Sequence, residues 1–145
     1  MDESIRITQS GDVLEIRLNQ PKKLNALDVP HFRELRLALQ SAALDPRARA
    51  VVLTGEGGAF CAGGDVAVMD EYRSAGRLPQ LFHELTGEQE LSVREIVSMP
   101  KPVVASLPGV AEVSTAPSVA SSARNSATGS ISIDLALLSR APSGR

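Results

Sequence analysis

The stretch "AVVLTGEGGAFCAGGDV" at residues 50–66 joins three kinds of local sequence without a break. It opens with a nearly uniform apolar run, which predicts a short strand buried on both faces. A loop with five glycines follows, and Asp65 is then placed to cap a helix that Gly76 ends. A tight turn before a helix leaves unpaired backbone N–H groups pointing outward. Such groups can bind an anion, or a carbonyl oxygen that becomes one during a reaction.

The segments on either side predict strands that alternate with helices. Residues 4–9 and 13–19 form a predicted hairpin about Gly11 and Asp12. Asp28 and Pro30 suit the start of a helix that ends near Asp45, and its expected core face is Phe32, Leu35, Leu39 and Ala42. A further helix is predicted over about 79–99, after the one that Asp65 caps, and its expected core residues are Leu81, Leu85, Leu91 and Ile96. A strand at 101–109 follows it. This order predicts an α/β fold with crossover connections.

Composition limits the classes of function. A chain of 145 residues suits one domain, and a net charge of −2 does not suggest nucleic-acid binding. No apolar run reaches the ~20 residues of a membrane span, and the N-terminus lacks a signal-peptide pattern. The single Cys61 fits a reducing compartment, so we expect a cytoplasmic protein. The chain has only two histidines, His31 and His83, in addition to Cys61. We therefore expect no metal site.

The glycine pattern does not match the common phosphate-binding loops. No Gly-Lys-Ser/Thr ending is present, as a Walker loop needs, and Gly55 and Gly57 are followed by Phe60 where a dinucleotide fingerprint has a third glycine. An ordinary strand-to-helix turn therefore remains the alternative to a ligand-binding loop at this point.

Three stretches resemble one family. "AFCAGGDV" (59–66) is similar to the Phe-x-Ala-Gly-x-Asp motif of the enoyl-CoA hydratase/isomerase, or crotonase, superfamily. "LNQPKKLNALD" (18–28) resembles its early loop, and "MPKPVVASLPGVA" (99–111) resembles the strand before its second oxyanion glycine. The three occur in family order. The resemblance implies an incomplete crotonase-like ββα spiral over residues 1–111. An unmatched Ser/Ala-rich tail follows at 112–145, for which disorder or a shifted reading frame is expected.

The resemblance also implies a function. In this family, two backbone N–H groups bind the thioester oxygen of an acyl-CoA and stabilise an enolate. The first donor corresponds to Gly64, and the implied substrate contacts are Lys23, Leu24, Ala26, Ala62, Gly64, Asp65 and Val66. We therefore expect a hydratase- or isomerase-type enzyme of fatty acid metabolism, a lyase if a hydratase. Coenzyme A thioester is its substrate, and no metal or redox cofactor is implied. Hydrolase and decarboxylase members share the same first half, so the reaction type stays open.

The match ends at about residue 111. Ser114 falls near the second donor and Pro117 near the first catalytic Glu of the family, while Glu112 does not correspond to either. Four residues on the helix predicted over about 79–99, His83, Glu84, Glu88 and Glu90, are expected to form a solvated face. We expect this sequence to lack the C-terminal helices that build family trimers and hexamers.

These departures leave a second interpretation open. The chain is then a catalytically inactive, truncated acyl-CoA binder or a nonfunctional fragment, and the tail is the product of a shifted reading frame or a truncated gene. The segment "SISIDLALL" (130–138) is expected to be a strand or a short helix. We expect Cys61 to be a small buried thiol and His31 a surface residue.

Overall fold

A computed structural model describes residues 3–109 and the backbone of residues 131–134. Its sheet has five strands in chain order: β1 (Ile5–Ser10), β2 (Val13–Leu18), β3 (Ala50–Gly55), β4 (Val103–Leu107) and β5 (Ile131–Asp134). β1 and β2 form the predicted antiparallel hairpin, with Gly11 at a φ of 56° in its turn. β2, β3 and β4 are parallel, and β5 pairs with β4 in the antiparallel direction. The α/β prediction is confirmed.

Helices supply the crossovers between the parallel strands. Helix α1 (Val29–Leu44) connects β2 to β3, while α2 (Val66–Ser74) and α3 (Leu78–Val97) connect β3 to β4. Because parallel strands end at the same edge of a sheet, the segments that follow β2, β3 and β4 meet there. Ligands bind outside this edge in open α/β sheets, so the topology brings the glycine-rich segment to a suitable place.

Local sequence explains where α1 begins. The Asp28 side chain accepts a hydrogen bond from the His31 N–H at 3.0 Å, and the His31 ring in turn accepts one from the Asp28 N–H at 3.3 Å. This reciprocal cap closes the first turn, with Pro30 inside it. His31 is therefore not the plain surface residue that we expected, because its side chain is only 15% exposed.

The core lies between the sheet and α1. Its largest fully buried apolar side chains are Ile16, Leu18, Leu39, Val51 and Val103. On α1, Leu35, Leu39 and Ala42 are buried as predicted, and Phe32 packs against the cluster at its edge. This apolar layer holds α1 against the sheet and so sets the distance between α1 and the strands.

One core prediction for α3 is wrong. Leu91 is 41% exposed, while its neighbour Ser92 is 2% exposed and donates a hydrogen bond to the Phe32 carbonyl at 3.2 Å. A small residue at the contact lets α3 approach α1 closely, and Leu91 then lies about 100° away around the helix. Leu81 is buried as expected, and Ile96 packs partly against the core.

Several predictions fall outside the described residues. They concern Glu112, Ser114, Pro117 and the division at residue 111, which stay predictions, as does the origin of the tail. For "SISIDLALL", the four residues Ile131–Asp134 form a strand.

Candidate functional site

Two loops lie side by side at the carboxyl edge of the sheet. The early loop (residues 20–28) follows β2, and the glycine loop (residues 55–65) follows β3. Three backbone hydrogen bonds join them: Ala62 N–H to Leu24 O at 3.0 Å, Leu27 N–H to Gly63 O at 2.8 Å, and Asp65 N–H to Leu27 O at 3.1 Å. The loops therefore form a short parallel ladder just ahead of α2.

This ladder determines where the Gly64 amide points. Leu27 and Gly64 form a parallel bridge, in which Leu27 bonds to the residues on both sides of Gly64. In such a bridge, the N–H and C=O of the middle residue point away from the partner strand. Within residues 3–109, no acceptor takes the Gly64 N–H. The predicted oxyanion donor thus faces outward from the early loop with its hydrogen available.

The side of Gly64 on which a Cβ would lie is apolar. The heavy atoms nearest to the position that a Cβ would take there belong to Met69 of α2 and Leu85 of α3, with Leu85 Cδ2 at 3.8 Å. Gly64 itself is half-buried. A donor in a poorly hydrated environment stabilises a developing negative charge more strongly than the same donor in water.

Asp65 performs the capping predicted for it and a second task. Its Oδ1 accepts from the Ala67 N–H at 3.0 Å and the Val68 N–H at 3.5 Å, which begins α2. Its Oδ2 accepts from Lys23 Nζ at 2.5 Å, across the two loops. The Lys23 hydrogen bond lowers the pKa of the Asp65 carboxyl, against the opposite effect of burial. Asp65 is 5% exposed and held ionised, so it holds the structure rather than accepting protons.

The structure brings all seven predicted site residues to these loops or to the first residue of α2. Lys23 carries a half-exposed side chain, and Leu24 is 48% exposed. Val66 is 74% exposed, Ala62 is half-buried and Ala26 is 7% exposed. Ala26 and Asp65 are therefore buried supports of the loops. The side chains that a ligand can reach are those of Lys23, Leu24, Ala62 and Val66.

Sequence reasoning missed Asn25. Its side chain is fully buried and bonds to three backbone groups of the two loops. Asparagine is common in polar loops. The feature that distinguishes Asn25 is its backbone φ of 56°, which the sequence alone does not reveal. The signal in the sequence is therefore weak.

The carboxylates of α3 are engaged elsewhere. Glu88 accepts hydrogen bonds from Arg33 at 2.9 Å and from Arg36 at 3.1 Å, both on α1. Burial alone would raise the pKa of Glu88, but the two guanidinium groups lower it overall. At 13% exposure, Glu88 contradicts the prediction of a solvated face. Glu84 is half-buried beside Gln80, while Glu90 and His83 are exposed as expected.

Cys61 differs from its prediction in part. It is half-buried rather than buried, and its Sγ accepts from the Gly63 N–H at 3.4 Å. Across residues 3–109, no three His, Cys, Asp or Glu side chains are grouped as a metal site would need. Within the same residues, no helix is both long and apolar enough to cross a bilayer.

A cavity of about 1020 Å³ lies on the other side of the early loop, between β1 and α1. Its lining includes Lys22 and Lys23 but no residue of the glycine loop. Of its polar groups, Arg6 faces Glu56 at 3.7 Å and His31 belongs to the helix cap with Asp28. We place the candidate site at Gly64, because its N–H has no acceptor within residues 3–109 and Met69 and Leu85 lie beside it.

Comparisons with known proteins identify the family of the chain. A family profile described as enoyl-CoA hydratase/isomerase matches residues 13–111. The chain belongs to the enoyl-CoA hydratase/isomerase family. It is 38% identical to the mitochondrial 3-hydroxyisobutyryl-CoA hydrolase of Rattus norvegicus over 96 residues, which are 66% of this chain and 24% of that protein. It is 49% identical over 63 residues to a probable enoyl-CoA hydratase of Mycobacterium tuberculosis, covering 43% of this chain and 26% of the relative.

A solved structure gives the same result for the fold. An enoyl-CoA hydratase from Polaromonas sp. JS666 superposes with a TM-score of 0.67 at 32% identity, over 72% of this chain and 40% of that one. The crotonase-like architecture is thereby confirmed for the matched part. The chain spans about a quarter of the length of the two curated relatives named above.

Proposed function

We propose that this chain binds an acyl-CoA thioester and acts as an enzyme of the enoyl-CoA hydratase/isomerase type. The thioester carbonyl oxygen would accept a hydrogen bond from the Gly64 N–H, which would stabilise the enolate that forms during reaction. The observation that carries this proposal is the orientation of that N–H away from the early loop, at a residue whose Cβ position lies beside Met69 and Leu85. Within a cell, the cytoplasm is the expected compartment.

Helix α2 adds to the same effect. It begins at Val66, directly after Gly64 and its cap Asp65. The N-terminus of a helix carries partial positive charge, which favours an oxyanion at this end. Lys23, Leu24, Ala62 and Val66 would contact the pantetheine chain and the thioester, while Ala26 and Asp65 hold the loops in place. This step uses the thioester as substrate and needs no metal or redox cofactor.

A second candidate is an acyl-CoA binder without catalytic activity. Hydration and isomerisation need a group that moves protons at the α-carbon. Asp65, next to Gly64, is held ionised by Lys23, and Glu88 is paired with two arginines. This observation favours binding over catalysis for the described residues. The hydrolase named among the relatives makes thioester hydrolysis a further reaction to assay.

Three assays with crotonyl-CoA test both candidates. Loss of the enoyl absorbance reports hydration, release of free thiol reports hydrolysis, and calorimetry reports binding. Gly64→Pro removes the donor and should lower the rate about 100- to 1000-fold. Gly64→Ala keeps the N–H, and its Cβ would meet only the flexible end of Met69 and Leu85. We expect the alanine variant to retain most of the activity.

The outcomes separate the alternatives. Equal rates for folded Gly64→Pro and Gly64→Ala would refute the role of this N–H. Binding that Gly64→Pro weakens, without turnover in the wild-type chain, would support the binder. Absence of binding by the folded wild-type chain would overturn both.

A further inference from the structure

Both polar atoms of the Asn25 side chain bond to backbone, and its Nδ2 connects the early loop to the glycine loop. Its Oδ1 accepts from the Gln20 N–H at 2.8 Å. Its Nδ2 donates to the Glu56 carbonyl at 2.9 Å and to the Ala59 carbonyl at 2.8 Å. The Oδ1 acceptor and both N–H donors of the asparagine amide therefore each have a partner. Because Asn25 is 0% exposed, water does not replace these bonds.

The same residue sets the shape of the early loop. Leu24 and Asn25 both lie in the left-handed region, with φ values of 50° and 56°. Leucine is unfavourable there, whereas asparagine tolerates it. The Asn25 N–H also donates to the Gln20 carbonyl at 2.9 Å, so backbone and side chain together close the turn from Gln20 to Asn25. This turn determines where the Leu24 carbonyl points.

The consequence reaches Gly64 through the ladder. The Leu24 carbonyl accepts from the Ala62 N–H, and Leu27 bonds to the residues flanking Gly64. These backbone bonds hold the end of the glycine loop, while the Asn25 side chain holds its first half through Glu56 and Ala59.

We propose that Asn25 is the positioning residue that fixes the Gly64 N–H relative to bound substrate. This inference rests on the proposed function for its catalytic consequence. A donor displaced by about 1 Å can lose about 100-fold in rate, because oxyanion stabilisation depends on exact placement. Asn25 therefore acts through the backbone, without touching the substrate.

Two variants test this role. Asn25→Asp keeps the acceptor for Gln20 but places a carboxylate against two carbonyl oxygens. Asn25→Gly removes all three bonds and tolerates the positive φ, so it remains informative if the aspartate variant does not fold. The matched control is Ser92→Ala, since Ser92 is also buried and bonded to backbone carbonyls but lies between α1 and α3.

Hydrogen exchange measures the positioning without any ligand. The amides of Leu27, Ala62 and Asp65 cross between the loops. Loss of the Asn25 bonds should speed their exchange about tenfold or more relative to the strand amides of Val51 and Leu53. Ser92→Ala should leave this ratio unchanged. Unaltered exchange of the three amides in a folded Asn25 variant would overturn the inference.

Kinetics with crotonyl-CoA measure the catalytic consequence. We expect kcat to fall about 100-fold in Asn25→Gly, with a much smaller change in KM. A proportional loss of active protein, with kcat per folded molecule unchanged, would mean a structural role only and would overturn the inference. Absence of turnover in the wild-type chain would count against the proposed enzyme, and the exchange of the three amides would still decide whether Asn25 positions the loops.

Discussion

Gly55 is the point where β3 passes into the glycine loop, and Gly55→Ala tests how tightly that junction is packed. A Cβ at this position would stand closer than 3.0 Å to the carbonyl oxygens of Ala59 and Phe60 and to the Asn25 Nδ2. Real Cβ atoms essentially never approach other heavy atoms so closely. Two of these neighbours are backbone, which cannot rotate away as the end of a side chain can.

The destabilisation follows from what must move. Phe60 O stands at 2.5 Å and Ala59 O stands closer still, so the loop backbone must retreat by more than about half an ångström, and overpacking of this kind costs about 1–3 kcal/mol. The same retreat stretches the 2.8 Å bond from Asn25 to Ala59, which contributes about 1 kcal/mol. We expect Gly55→Ala to lower the free energy of unfolding by about 2–4 kcal/mol.

Urea denaturation followed by far-UV circular dichroism measures this change. Gly58→Ala is the control, because no atom lies within 4 Å of its Cβ position and only its φ of 81° is unfavourable. That strain costs about 1–2 kcal/mol. If Gly55→Ala destabilised the chain by less than Gly58→Ala, the close packing of β3 against the loop would be wrong.

Two further predictions concern stability. Gly87 lies inside α3 with open space around its Cβ position. Gly87→Ala should therefore raise the free energy of unfolding by about 0.5–1 kcal/mol. A loss of stability in urea would contradict the placement of Gly87 on an open face of the helix. Because the folded pKa of Asp65 is lowered, its contribution to stability is present above about pH 4 and is lost as the pH falls through its folded pKa. Asp65→Asn still caps α2 but should lose less stability than the wild type between pH 5 and pH 2.5; equal losses would refute this linkage.

The sequence predicted the order of elements well, because the signals are local. Alternating residues identified β1 and β2, and Asp28 and Asp65 marked the helix starts that the structure confirms. Leu91 was misassigned because helical spacing does not reveal which face meets a neighbour when a small residue such as Ser92 makes the contact. Tertiary packing decides such cases.

The candidate site was predictable in place but not in its supports. Glycines and Asp65 located the loop, and the family resemblance singled out Gly64. The Lys23–Asp65 bond and the Asn25 contacts join residues 31 to 42 positions apart, and no local pattern encodes such pairs. Glu88 was expected in solvent for the same reason, since its partners Arg33 and Arg36 lie on another helix.

The most direct test of the account is an NMR titration of the ¹⁵N-labelled chain with butyryl-CoA, a saturated thioester that cannot be hydrated. If the Gly64 N–H binds the thioester oxygen, its amide proton should move downfield on saturation, by more than the amide protons of Leu27 and Ala62, which already bond within the protein. If binding shifts the signals of the two loops but leaves the chemical shift of the Gly64 amide proton unchanged, the Gly64 N–H does not bind the thioester oxygen.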